Sequence, residues 1–249
     1  MKKLDTYLSL CTEVYDLSKP NPPEEAYNFY RSYIKDAKGL VLEPMCGTGR
    51  FLLPLFEEGF NIQGFDASEH MINKLLDKAA AKNIKPNVWK GFIEDLKRKE
   101  KYNLIFIPSG SFCLITDLEI VKVALKIFYE HLNDDGILLF ESETLEAVPQ
   151  TDVCRGSVWR KPDGRIIMLS QFATFNENIC NSIGKYELIN NNSIIHTEVE
   201  ELRVRIYVKD ELTEILKMCG FENIRIIKAF DSAAIPSKND ESVVYECKK

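Results

Sequence analysis

The sequence predicts an α/β fold in which a seven-stranded, mostly parallel sheet is flanked by helices and interrupted late by an antiparallel β block. Three observations carry this reading. Short apolar runs alternate with amphipathic stretches from residue 24 to about 141, the pattern of right-handed βαβ units. After about Pro149 two long β-rich segments follow, 153–175 and 179–207. A helix and a last pair of strands then return, so the β block is an insertion and not a second domain.

Each element has a local reason. Pro22-Pro23 marks the start of a helix over 24–36, because proline suits the first helical turn. Leu40-Val41-Leu42 is a short buried strand that runs into a glycine turn, with a helix beginning near Arg50. Asn61–Asp66 is the second strand, and Ser68 caps a helix reaching about Lys82. Strands follow at Asn87–Phe92 and Tyr102–Pro108. Asp117 starts a helix through Leu132, and Asp135-Gly136 turns into the strand Ile137–Glu141. In the inserted block, Lys161-Pro162-Asp163-Gly164 and Asn190-Asn191-Asn192 are the turns. Asp210–Cys219 is helical and stops at Gly220, and strands near 222–230 and 242–247 close the chain.

Composition narrows the function. The chain has 249 residues, 45% hydrophobic and 28% charged, which fits one large globular domain with an insertion. With 32 Lys+Arg against 38 Asp+Glu the net charge is −6, so a general affinity for duplex nucleic acid is disfavoured. No apolar run approaches the length of a membrane span, and the first residues lack a signal core. Seven cysteines without a C-x-x-C spacing point to free thiols in a reducing, cytoplasmic setting. The three histidines make no metal-ligand spacing, and no metal is expected.

The chemistry concentrates at Glu43-Pro44-Met45-Cys46-Gly47-Thr48-Gly49-Arg50. Two glycines two apart let backbone N–H groups approach a ligand at a helix start. Asp66 ends the next strand 17 residues after Gly49, where a carboxylate can accept both hydrogen bonds of a ribose diol. There is no Lys for a phosphate-cradling P-loop, and the third glycine of a dinucleotide fingerprint is missing. Glu43 would repel a pyrophosphate but suits a ligand that carries an ammonium group.

These segments resemble the class I S-adenosylmethionine-dependent methyltransferases, with their Rossmann-like sheet. Glu43–Gly49 resembles the acid-x-G-x-G-x-G turn, which in that family lies against the methionine part of the cofactor. Gly64-Phe65-Asp66-Ala67-Ser68, with Met71 beyond it, is similar to the ribose-binding strand end. Gly91-Phe92-Ile93-Glu94-Asp95 resembles the segment closing over adenine, and Ile107-Pro108-Ser109-Gly110 takes the place of the strand end that faces the methyl group. The resemblance spans 40–141 in order and spacing. It implies S-adenosyl-L-methionine as cofactor, bound by Tyr15, Glu43, Met45, Gly47, Gly49, Asp66, Ala67, Met71, Ile93, Glu94 and Pro108. Two departures stand out. Met45 replaces the first glycine, so its backbone is expected to avoid positive φ. Phe92 replaces the acid often found before the adenine-contacting amide, which leaves adenine to the Ile93 N–H, with Glu94 or Asp95 near its amino group.

Cys11-Thr12-Glu13-Val14-Tyr15-Asp16 and the late insertion resemble the small-molecule, sugar-amine N-methyltransferase-like subgroup. That likeness implies lid helices over 1–36, a cofactor domain over 37–149 and 208–249, and an insertion over 150–207 that walls the acceptor site. The implied partner is a small molecule methylated at nitrogen or oxygen, with neither nucleic acid nor membrane, and no oligomeric state follows. Methyl transfer from a sulfonium runs largely on positioning, so a dedicated base is optional. Tyr15 and Glu141 are the catalytic candidates, and Glu143 could help orient an acceptor. The basic hairpin residues Arg155, Arg160, Lys161 and Arg165 read as a solvated face before an anion site. A non-catalytic S-adenosylmethionine-binding regulatory module and an NAD-dependent oxidoreductase are the alternative functions.

Overall fold

The computed structural model describes residues 4–249. Two helices come first, α1 (Ser9–Ser18) and α2 (Glu24–Ala37). The main sheet contains β1 (Val41–Pro44), β2 (Ile62–Asp66), β3 (Asn87–Lys90), β4 (Tyr102–Ile107), β5 (Leu132–Glu143), β10 (Glu222–Lys228) and β11 (Ser242–Lys248). Its spatial order is β10-β11-β5-β4-β1-β2-β3, and β11 alone runs antiparallel to its neighbours, as the closing strand pair predicts. The helices α3 (Leu52–Glu57), α4 (Glu69–Ala81), α5 (Leu118–His131) and α6 (Lys209–Met218) connect the strands. Ser68 Oγ accepts the Met71 N–H and Asp117 accepts the Glu119 N–H, so both predicted caps close their helices.

Strand boundaries moved where pairing overrode local turn chemistry. β5 begins at Leu132, ahead of the predicted Asp135-Gly136 turn, because Leu132 pairs with Tyr102 and the extra residues form a bulge before Leu104 meets Ile137. β3 stops at Lys90, and Ile93–Asp95 form one 3₁₀ turn. The core lies on both faces of the sheet. Leu42, Ile105, Phe128 and Phe140 fill one side, and Tyr30, Phe51, Leu55 and Phe106 the other. Phe140 stacks on Tyr245 of the neighbouring strand at 5.0 Å.

The insertion is a separate antiparallel sheet of β6 (Arg155–Arg160), β7 (Ile166–Asn176), β8 (Ile179–Asn190) and β9 (Ser193–Arg205). One face packs on α1, where Leu10 and Val14 meet Ile167 and Leu188, with Trp159 and Tyr186 at the margin. Arg205 donates to the Thr116 carbonyl and the Tyr207 hydroxyl to that of Ile115, which ties the appendage to the loop after β4. It thus stands over the carboxyl ends of the parallel strands, where open α/β sheets bind ligands. Among the described residues no helix is long and apolar enough to cross a membrane.

Candidate active site

The parallel pairing of β1 with β2 brings Glu43 beside Gly64 and sets the glycine turn against the end of β2. There the Asp66 carboxylate accepts the Gly47 N–H at 2.9 Å and the Ser68 N–H at 2.8 Å. Burial pushes its carboxyl up, and those backbone donors pull it back. One side chain thereby holds the turn and the start of α4 in register. A carboxylate has about four acceptor positions, so Asp66 retains capacity for ribose hydroxyls.

Met45 overturns the expectation for its backbone: its φ is +57°. The Cys46 N–H donates to the Phe65 carbonyl at 3.0 Å, so the chain must turn immediately after Pro44. A non-glycine residue held there costs on the order of 1–3 kcal/mol, which the surrounding strand pairing sustains. Gly47 and Gly49 are also left-handed, at +54° and +76°. At Gly49 a Cβ would come within 2.9 Å of Leu53 and Leu75, so this glycine serves the packing of the turn under α4.

A cavity of about 580 Å³ opens beside this turn, a volume suited to a cofactor-sized ligand. Tyr15, Met45, Gly47, Asp66, Ala67, Met71, Ile93 and Glu94 line it together, although they come from five separate segments. Glu43, Gly49, Pro108 and Glu141 do not line it. Pro108 is buried at the end of β4. Glu141, on β5, accepts the Ser109 N–H at 2.9 Å, and burial raises its carboxyl. Glu143, two residues on, reaches Gly110 in the loop after β4, and burial and then Glu141 raise its carboxyl.

Glu43 is 2% exposed, and its Oε2 has no hydrogen-bond partner. Burial raises its carboxyl well above the usual range, with the Arg50 charge opposing. An orphaned buried carboxylate oxygen beside a glycine turn fits a ligand that brings a cation or donor.

Several lining residues carry no signal in the sequence. Tyr7, Ile115 and Leu202 come from loops and from β9, and no motif marks them. Nor did the sequence reveal how α1 is fixed. The Thr48 hydroxyl donates to Asp16 at 3.0 Å and Lys78 reaches the same oxygen at 2.6 Å, which latches α1 to the glycine turn and to α4. At the other end, Glu200 accepts the N–H groups of Tyr7 and Leu8, and Glu198 accepts that of Leu10. Part of the basic hairpin is structural: Lys161 pairs with Glu13 of α1, and Arg165 with Asp163.

Residues 41–136 match the family model described as a methyltransferase domain. A protein of Geobacillus sp. (strain WCH70), provisionally named a methyltransferase, is 23% identical over 94% of this chain and 96% of its own length. Among solved structures, an S-adenosylmethionine-dependent methyltransferase from Clostridium acetobutylicum ATCC 824 superposes with a TM-score of 0.78 at 18% identity, covering 95% of this chain and 96% of the other. A sugar N-methyltransferase from Streptoalloteichus sp ATCC 53650 gives 0.76 at 13% identity, covering 98% and 96%. At such identities these two structures speak for the fold.

Proposed function

We propose that this chain, an S-adenosylmethionine-dependent methyltransferase by its matched domain and its glycine turn, transfers the methyl group to a nitrogen of a small-molecule acceptor. The observation that carries the choice of nitrogen over oxygen is the pair Glu141 and Glu143 at the carboxyl end of β5, beside the end of β4. Two carboxylates there attract an ammonium and can take its proton. The late sheet and α1 cover the strand ends and support a small acceptor over a polymer. Seven unpaired cysteines support a cytoplasmic setting.

When bound, the cofactor supplies an electrophilic methyl on a sulfonium, a good leaving group. Glu143 accepts a proton from the acceptor ammonium and frees the nitrogen lone pair for in-line attack. Its carboxyl, raised by burial, suits a base of that kind. Glu141, held by the Ser109 N–H, fixes the floor beneath the acceptor. Tyr15 lines the cavity from α1 and excludes water, so α1 acts as a lid. The sugar N-methyltransferase likeness supports this reading without carrying it.

The test is methyl transfer across matched panels of small amines and alcohols, read by mass. Amines should gain a methyl group. Glu143→Gln should lower kcat roughly 10²- to 10⁴-fold, the usual worth of a general base, while the affinity for the demethylated product stays unchanged. Turnover confined to alcohols would overturn the nitrogen assignment. Product binding without turnover of any acceptor would favour the regulatory module.

A further inference from the structure

Residues 4–8 precede α1 without forming a helix or a strand, and Leu4, Thr6 and Tyr7 among them line the cavity. Tyr7 has a φ of +55°. That is the left-handed region, which a bulky side chain occupies only where its surroundings hold it. Two sides do so. From the late sheet, the two carboxylate oxygens of Glu200 accept the Tyr7 N–H at 2.7 Å and the Leu8 N–H at 2.9 Å. From the start of α4, Ser68 Oγ donates to the Tyr7 carbonyl at 2.8 Å, and the Thr12 hydroxyl of α1 adds a second donor at 3.3 Å.

Ser68 links this clasp to the proposed ribose site. Its own N–H donates to Asp66 at 2.8 Å, and the same carboxylate accepts the Gly47 N–H. A run of hydrogen bonds therefore passes beside the cavity from Glu200 through Tyr7 and Ser68 to Asp66. The supports at either side are fixed. Glu200 sits in a strand paired along its length with β8, and Leu10 and Val14 anchor α1 on the same sheet. Leu8, at the start of α1, has no side-chain cap. The part free to move is the short segment from residue 4 to Leu8. Release from Glu200 lets Tyr7 relax to negative φ and drop its carbonyl from Ser68.

We propose that residues 4–8 form a strap over the nucleoside, latched by Glu200, and that unlatching it gates the exchange of S-adenosylmethionine for its demethylated product. A ribose on Asp66 steadies the carboxylate that orients Ser68, so a bound ligand favours the closed strap. Glu200 itself does not line the cavity. Losing the latch therefore lowers the barrier to entry and to exit alike, and the equilibrium affinity changes far less than either rate. The strap depends on the cofactor and is independent of the acceptor's identity.

The experiment is stopped-flow binding of the demethylated product S-adenosylhomocysteine to wild type, Glu200→Gln and Glu200→Ala, with calorimetry and amide hydrogen exchange on the same proteins. Association and dissociation should both quicken by roughly 10- to 150-fold in Glu200→Ala, the range of a hydrogen bond to a charged group. Glu200→Gln keeps one acceptor oxygen for two N–H groups and should fall between it and wild type. The dissociation constant should stay within about threefold of wild type. Saturating product should slow exchange of the Tyr7 and Leu8 amides in wild type, and Glu200→Ala should remove most of that slowing. Unchanged rates in the variants would overturn the gate. So would faster dissociation matched by an equal loss of affinity, which would make Glu200 a support of the site and not a latch. Should Glu200→Ala fail to fold, Glu200→Gln and the wild-type exchange still decide, since amides indifferent to product would leave no strap to close. Failure of wild type to bind the product would sink the cofactor itself, a different result from a bound product whose rates ignore Glu200.

Discussion

The two ends of α1 are held by contacts that differ in the sequence distance they span. At its carboxyl end Asp16 accepts from Thr48, 32 residues away, beside the glycine turn, where Gly47, Asp66 and Ser68 lie within about twenty residues of one another and hydrogen-bond through a single carboxylate. At its amino end, Leu8 offers no side-chain cap, and acceptors come from β9: Glu200 lies 193 residues from Tyr7 in sequence. The cofactor side is therefore built by consecutive residues that strand pairing brings together. The roof is built by carboxylates that only the closed fold can deliver to a helix start, where they complement its unpaired N–H groups. Damage to the first region should appear in ligand binding, and damage to the second in stability.

The largest expected effect is on the cofactor side. Asp66→Ala removes the acceptor of two backbone N–H groups and, in the binding mode proposed for the cofactor, the acceptor for its ribose hydroxyls. It should weaken binding of the demethylated product by at least roughly 10- to 150-fold, as read by calorimetry. Equal affinity in the variant would take Asp66 out of the site. Next comes Glu200→Ala, which leaves the half-buried Tyr7 and Leu8 N–H groups without their acceptor. Urea unfolding should show a loss of about 1–3 kcal/mol, with product affinity falling far less than for Asp66→Ala. If Glu200→Ala reduced affinity as strongly as Asp66→Ala, the two regions would not be separable.

A smaller effect sharpens the comparison through pH. The Glu43 carboxyl is raised by burial from its ordinary 4.5. Between that value and the raised one, the folded chain binds more protons than the unfolded chain, so stability falls as pH rises through the window. One such proton contributes at most about 1.4 kcal/mol per pH unit. Glu43→Gln, neutral at every pH, should flatten the decline in urea midpoint of the ligand-free protein above pH 4.5. Glu200→Gln makes the informative control, because the Glu200 carboxyl is also raised by burial but lies in the roof. A Glu43→Gln slope identical to wild type would show that Glu43 stays ionised without a ligand.

Most of the cofactor side was legible from residue order. Apolar strand runs, the caps Ser68 and Asp117, and the glycines around Thr48 are short-range features whose physics is complete within a few residues. For that reason the sheet, its antiparallel last strand, the late antiparallel block and eight of the cavity-lining residues could be named beforehand. Met45 marks the limit of such reasoning. Its side chain argues for negative φ, but the hydrogen bond from Cys46 to Phe65 across two strands decides otherwise.

What sequence alone determined is the parallel sheet and its glycine turn, because periodicity, capping and turn chemistry act over the distance of a turn or a strand. Only the tertiary structure decided which charges are buried and unpaired, as at Glu43 and Arg50, and which acidic residues leave the solvent to hold a helix, as Glu198 and Glu200 do. In sequence a glutamate carries the same charge everywhere. Whether it remains solvated, caps a backbone or waits for a ligand depends on desolvation and on which groups the fold places within about 3 Å of it.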